Sequence, residues 1–126
     1  MATILLVDDN PLQASARKTI LERRFSDVRR VGDAAEALCL VEQPQFARNL
    51  GLVISGHHHS GIGVPAFVAE LHTRMPALPV LVLDDNTDDY DDFSGDEVYF
   101  LHRPIRADEM LSIAGQMLAE NERKTA

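Results

Sequence analysis

Several apolar runs of this sequence end in residues whose types could do chemistry. The first run is followed by an acidic pair, Asp8 and Asp9, and a later run is followed by Asp84. Carboxylate oxygens are the ligands that Mg²⁺ prefers, and a carboxylate can also act as a nucleophile. Another run ends at Gly56, which has no side chain, and the last leads to Arg103. The pattern predicts an acidic pocket of three carboxylates with one cation beside it.

Three consecutive histidines, His57, His58 and His59, directly follow this glycine. Imidazole nitrogens bind Zn, Ni or Cu, and histidine can sense pH near neutrality. Consecutive side chains diverge along the backbone, however, and the serine and glycines of residues 60–63 are typical of a loop. We interpret the triplet as part of a solvated loop. A metal-sensing or pH-sensing site is the alternative.

The composition is that of an ordinary globular protein, with 45% hydrophobic and 25% charged residues. A length of 126 residues fits one compact domain over residues 1–126. The single cysteine, Cys39, excludes an intrachain disulfide and favours a cytoplasmic location. We predict that it is a small core residue. No stretch approaches the roughly 20 apolar residues that span a bilayer, so we expect no membrane segment.

The negative charge is concentrated in residues 84–97, which we call the acidic segment. It holds eight acidic residues and no basic one, whereas the rest of the chain holds 12 of each. Such a surface repels phosphate backbones and anionic lipids, which argues against direct binding of nucleic acid or membrane. The segment is also rich in aspartate and poor in helix formers, so any helix in it should be short or irregular.

Strand and helix patterns alternate along the whole chain. The predicted strands are residues 3–7, 27–31, 50–55, 78–83 and 98–101. The predicted helices are residues 12–24, 33–43, 65–74 and 107–121, with the irregular fourth one in the acidic segment. This alternation predicts an α/β fold, a flavodoxin-like, doubly wound, five-stranded parallel sheet with helices on both faces. The functional crevice of such a sheet lies at the carboxyl ends of its strands, where the acidic pocket is expected.

Capping residues mark the starts of two helices. Asn10 is a predicted N-cap with Pro11 in the first turn, and Asp33 with Glu36 has the spacing of a capping box. A spacing of four residues in the first helix predicts a buried stripe of Leu12, Ala16 and Ile20.

The segments ILLVDDNP, VIS, PVLVL and FLHRPI come in the order expected of a response-regulator receiver (CheY-like) domain, which the chain resembles over its whole length. In that family the acidic pair binds Mg²⁺, an aromatic residue on the fifth strand moves with the switch, and the proline near the end follows a cis bond. The resemblance assigns these roles to Asp8 and Asp9, to Phe100, and to the bond between Arg103 and Pro104.

Three positions depart from the family's pattern. The phosphoacceptor aspartate falls on Gly56, the hydroxyl residue on Asp84 and the lysine on Arg103. Gly56 cannot attack phosphorus, Asp84 would repel phosphoryl oxygens, and the planar group of Arg103 does not replace lysine like for like. Ser55 is adjacent, but a shift of one residue reverses the facing of a strand. We therefore predict a receiver that has lost its phosphoryl chemistry, is not an enzyme and acts as a protein-binding module.

The residues leave several alternatives open. Arg103 either bridges Asp84 and one of the acidic pair or points into solvent. Mg²⁺ binding at Asp8 and Asp9 should be weakened by the missing carboxylate, with Asp84 as a partial replacement. Phosphorylation could also have moved to a surrogate acid, Asp84 or Asp9.

The resemblance also implies a partner surface. The family uses the face of the fourth helix, fifth strand and fifth helix for dimers and protein targets. Here that face includes the acidic segment, so we expect it to bind a second copy of the chain or a protein partner that is basic or differs from the family's usual ones.

Overall fold

The protein alternates strands and helices, described in a computed structural model for residues 2–56, 62–84, 97–102 and 105–125. Over these ranges the elements are β1 (Thr3–Val7), α1 (Pro11–Leu21), β2 (Val28–Val31), α2 (Ala34–Val41), α3 (Pro44–Asn49), β3 (Leu50–Gly56), α4 (Val64–Arg74), β4 (Val80–Asp84), β5 (Val98–His102) and α5 (Ala107–Thr125). No helix in this part of the chain is both long and apolar enough to cross a membrane.

The five strands form one parallel sheet in the order β2-β1-β3-β4-β5. The predicted flavodoxin-like α/β fold is therefore confirmed, and the predicted strand bounds agree within a residue or two. β1 and β3 are neighbours at the centre, with Val7 paired to Ser55. On the other side of β3, Gly56 is paired to Leu83. The residues that follow β1 and end β3 thus meet at the middle of the sheet's carboxyl edge.

The sheet separates two hydrophobic layers. Leu5 and Val7 of β1 belong to the layer that contains α2 and α4, whereas Ile4 and Leu6 belong to the layer that contains α1 and α5. Successive side chains of a strand point to opposite faces, so Asp8 has the facing of Ile4 and Leu6. The carboxylate after β1 is thereby directed towards α1.

The predicted buried stripe of α1 is wrong. Leu12 is 85% exposed, Ala16 is exposed and Ile20 is only partly buried. The helix instead buries Ala14, Arg17 and Leu21. A prediction from apolar residues alone places every arginine in solvent. Arg17 nevertheless lies on the inner face of α1, because its charge is neutralised by the buried Asp8.

The second predicted helix, residues 33–43, is confirmed as α2, and a short helix that was not predicted follows it. α2 ends at Val41, and Pro44 begins the unpredicted α3, in which its ring suits the first helical turn. The inner face of α2 consists of Ala34, Ala37 and Val41. Cys39 lies away from this face and is exposed, so its predicted place in the core is wrong.

Both predicted N-caps are confirmed. The side chain of Asn10 accepts hydrogen bonds from the N–H groups of Leu12 and Gln13, each at 3.1 Å. Asp33 Oδ1 accepts one from the N–H of Glu36 at 2.8 Å. The Asn10 cap fixes where α1 begins, and through the helical repeat it fixes which residues of α1 face the sheet.

An arginine joins α4 to α2 on the surface. Arg74 donates to Glu70 in its own helix and to Glu42 just after α2, each at 2.8 Å. The hydrogen bonds that it donates to Glu70 and then to Glu42 raise the pKa of Arg74 above its ordinary value. Arg74 therefore keeps its charge, and this contact lies apart from the carboxyl edge of the sheet.

Candidate functional site

Asp8 is the buried member of the acidic pair. It directly follows β1 and is only 3% exposed, whereas Asp9 is exposed. The backbone N–H of Asp8 donates to the carbonyl of Val31 at 3.1 Å, and its Oδ1 accepts from the N–H of Asn10 at 3.0 Å. These contacts fix the carboxylate between the end of the sheet and the start of α1.

Arg17 supplies the cation that pairs with this carboxylate. Its Nη1 donates to Asp8 Oδ2 at 3.0 Å, and the exposed fractions of the two side chains are 11% and 4%. Sequence reasoning missed Arg17 because it considered charged residues only at strand ends. A signal was present, since Ala14, Arg17 and Leu21 are spaced by three and four residues on one helical face.

A second arginine binds the backbone of the same aspartate. Arg30, on the edge strand β2, donates to the Asp8 carbonyl oxygen from Nη2 at 2.9 Å and from Nε at 3.3 Å. Asp8 is therefore held by one guanidinium through its carboxylate and by another through its main chain. Both contacts stabilise a single position of the residue after β1.

Gly56 lies beside this ion pair as the last residue of β3. A Cβ atom built on it would lie 3.9 Å from the Val7 carbonyl oxygen and 4.0 Å from Nη1 of Arg17, the nearest described atoms. Both distances are ordinary van der Waals contacts. The described surroundings would therefore accept a Cβ atom, and what distinguishes this position is the guanidinium beside it.

Ser55 does not take the place of the missing side chain. It has the facing of Val53, which belongs to the α2 and α4 layer, so it points away from Arg17. Its hydroxyl is buried and donates to the Gly56 carbonyl at 2.9 Å. At the end of β3, neither residue therefore presents a nucleophile towards Asp8.

The described residues do not fit a magnesium ion at Asp8. Mg²⁺ binds carboxylate oxygens at about 2.0–2.1 Å in a nearly ideal octahedron. Oδ2 of Asp8 is already bound by Arg17, and Oδ1 accepts from the backbone of Asn10. Over residues 2–56, 62–84, 97–102 and 105–125, no three histidine, cysteine or acidic side chains are arranged to hold a metal.

Several predicted site residues fall outside this description. Asp84 ends β4 and pairs with His102 of β5, but its side chain is not described, so its place in the acidic pocket is still a prediction. The histidine triplet, residues 57–59, also lies outside the described residues. The same holds for Arg103 and Pro104, and with them for the Arg103 bridge and the cis bond.

The predicted switch aromatic, Phe100, lies on β5. It pairs with Val82 of β4, is partly buried and packs against the layer that contains α2 and α4. The preceding residue, Tyr99, is 50% exposed. β5 thus presents one aromatic residue to the core and one to solvent.

Comparisons with known proteins identify the fold. No family model matches the chain, and no curated protein matches it. Among solved structures, a response regulator receiver domain protein of Clostridium thermocellum matches with a TM-score of 0.85 and 17% identity, over 97% of this chain and 98% of that one. A CheY-like receiver domain protein of Methanospirillum hungatei matches with a TM-score of 0.85 and 19% identity, over 98% of both.

A third similar structure is the signal receiver domain of an HD domain-containing protein of Pseudomonas fluorescens. Its TM-score is 0.83 at 24% identity, with 97% of this chain and 98% of that chain covered. At these identities the likeness concerns the backbone architecture. The protein therefore has the fold of response-regulator receiver domains, which the sequence predicted.

Proposed function

We propose that this chain is a receiver-type signalling domain, formed by residues 1–126, that binds another protein and is not phosphorylated at the end of β3. The observation that carries the proposal is Gly56 at the carboxyl end of the central strand β3, beside the ion pair of Asp8 and Arg17. Transfer of a phosphoryl group to a protein requires a side-chain nucleophile in line with the phosphorus atom. Glycine has none, so the domain would signal through binding alone.

The surface around β5 supports a role in protein binding. β5 is an edge strand, and the large side chain of Tyr99 is half exposed on it. Tyrosine is enriched in protein interfaces because it is rigid and both apolar and polar. The acidic segment, which precedes β5 in the sequence, accounts for the whole net charge of −8. A protein with a basic surface is therefore the partner that this face fits, because opposite charges steer association.

Acetyl phosphate tests the absence of phosphorylation. The full chain is incubated with acetyl phosphate and Mg²⁺, and its intact mass is measured beside a receiver domain that has an acceptor aspartate. We expect only that control to gain a phosphoryl group. A stable adduct on this chain, lost in Asp9→Asn or Asp84→Asn, would establish a surrogate acceptor and contradict the proposal.

Matched surface variants test the binding face. Tyr99→Ser and Leu12→Ser each remove an exposed apolar side chain, but Leu12 lies on α1, remote in sequence from β5. We expect a partner purified with the wild-type chain to be lost with Tyr99→Ser and kept with Leu12→Ser. Sedimentation of the purified chain tests whether the face instead binds a second copy of the chain. A concentration-dependent dimer that is weakened by Tyr99→Ser and not by Leu12→Ser would identify such a homodimer.

A further inference from the structure

We propose that Arg17 is the resident cation of the acidic pocket and holds the place that a metal ion would otherwise take. The inference rests on the proposed function, since it concerns how the same pocket is controlled. It assigns to a residue of α1 the neutralisation of Asp8. A pocket of this kind would stay neutralised by Arg17 at metal concentrations that would fill it if the arginine were absent.

The first support is the geometry of the ion pair. Arg17 Nη1 donates to Oδ2 of Asp8 at 3.0 Å, whereas the N–H of Asn10 donates to the other oxygen, Oδ1. A metal ion that bound Oδ2 at about 2 Å would lie no more than about 5 Å from Nη1, and two cations at that distance repel each other. Metal binding would therefore require Arg17 to leave.

The second support is burial. Both side chains of the pair are nearly inaccessible, and a charge taken out of water must be paired to be stable. If Arg17 left Asp8, each group would need another partner or water. The ion pair is therefore preferred over an incoming hydrated Mg²⁺, which gives up its own water reluctantly.

The third support is the glycine at position 56. A Cβ atom there would already be 4.0 Å from Nη1 of Arg17, so a carboxylate at this position would lie next to the guanidinium. One arginine would then face two acids besides the exposed Asp9. With glycine, no second carboxylate adjoins the guanidinium from the end of β3. The missing acid at Gly56 and the cation from α1 are thus parts of a single arrangement.

Manganese binding tests the inference in the full chain. Mn²⁺ broadens the NMR signals of nearby amides, so the amides of residues 8–10 report occupation of the pocket. Arg17→Met removes the resident cation. Arg23→Met is the matched control, because it removes the same group from an exposed position beyond the end of α1. In Arg17→Met, we expect the amide signals of residues 8–10 to lose half of their intensity at a certain Mn²⁺ concentration. In the wild-type chain and in Arg23→Met, the same loss should require a Mn²⁺ concentration about tenfold higher.

Two results would overturn the inference. Equal broadening of the wild-type chain and Arg17→Met would show that the guanidinium does not exclude the ion. The absence of broadening in both would show that the pocket is no metal site even without Arg17. Phosphorylation by acetyl phosphate would instead contradict the proposed function, whereas metal binding to the wild-type chain as tight as to Arg17→Met, without phosphorylation, would contradict only the role of Arg17.

The wild-type chain provides a second measurement should Arg17→Met fail to fold. The side-chain N–H signals of Arg17 should differ from those of exposed arginines and stay unchanged in a large excess of Mg²⁺. A shift of these signals towards those of an exposed arginine would mean that the metal displaces the guanidinium, and the inference would fail.

Discussion

Arg17 and Asp8 form an ion pair inside the protein, which connects the middle of α1 to the residue that follows β1. Neither charge could be buried without the other, because removal of one partner from a buried pair typically costs about 3–5 kcal/mol. The contact therefore links the packing of α1 on the sheet to the electrostatics of the pocket.

The strength of this link can be measured with a double-mutant cycle. We expect Arg17→Met to lower the free energy of unfolding by about 3 kcal/mol, because the Asp8 carboxylate stays buried without its partner. Asp8→Asn should also be destabilising, since it leaves the guanidinium uncompensated. The double variant should lose less than the sum of the two losses. Urea unfolding of the four chains measures the coupling, and strictly additive losses would contradict it.

An aspartate at position 56 is not expected to make the chain phosphorylatable by itself. The free energy of unfolding of Gly56→Asp should lie within about 1 kcal/mol of the wild-type value. The described neighbours leave room for a Cβ atom, and the Arg17 guanidinium lies close enough to pair with the new carboxylate. The new carboxylate should pair with Arg17, so acetyl phosphate should leave the intact mass unchanged. Combined with Arg17→Met, the same substitution should allow a phosphoryl adduct, and Gly56→Asn with Arg17→Met is the control. Rapid labelling of Gly56→Asp alone would refute this expectation.

Close packing of α5 against β3 depends on another glycine. A Cβ atom on Gly51 would lie 2.7 Å from Cδ2 of Leu118 and 2.8 Å from Cβ of Ala2. Gly51→Ala should therefore destabilise the protein by about 2 kcal/mol, since the Leu118 side chain and the residue Ala2 near the N-terminus must shift within a packed core. Gly32→Ala is the control, because no described atom lies within 4 Å of its added Cβ. Thermal unfolding compares them, and equal midpoints would show that the contact relaxes freely.

The start of α1 should contribute measurably to stability. Asn10→Ala removes the acceptor of two backbone N–H groups, and we expect a loss of about 1 kcal/mol in the free energy of unfolding. Asn10→Asp keeps an acceptor at the helix N-terminus and should retain most of it. A loss as large in Asn10→Asp as in Asn10→Ala would mean that the amide serves another purpose.

The architecture could be read from the sequence because its signals are local. Continuous apolar runs such as residues 3–7 and 50–55 indicate strands covered on both faces, and their alternation with helical segments leaves few possible topologies. The caps at Asn10 and Asp33 were likewise predictable, because each bonds to backbone two or three residues away. Local patterns of this kind were sufficient for the sheet and for the starts of these two helices, whereas the first helix was predicted to end at residue 24 and ends at Leu21.

The contents of the pocket could not be read in the same way. Arg17 reaches Asp8 only after α1 has packed on the sheet, and a pattern of apolar residues does not identify a buried arginine. The error over Cys39 has the reverse cause, because an apolar segment does not say which of its sides is covered. Side-chain pairing across elements depends on helix rotation, which for α1 differed from the predicted stripe.

A tethered charge also changes how the pocket can open. A bound metal ion leaves a site by diffusion, and another ion from solution takes its place at a rate that depends on the ion concentration. Arg17 is covalently part of α1, so its guanidinium can withdraw only if the side chain swings past Asp8 or the helix rolls on β1. The event that would correspond to ion release is thus a displacement of the Arg17 side chain or of α1, and the burial of Ala14 and Leu21 on the inner face of that helix opposes the second route.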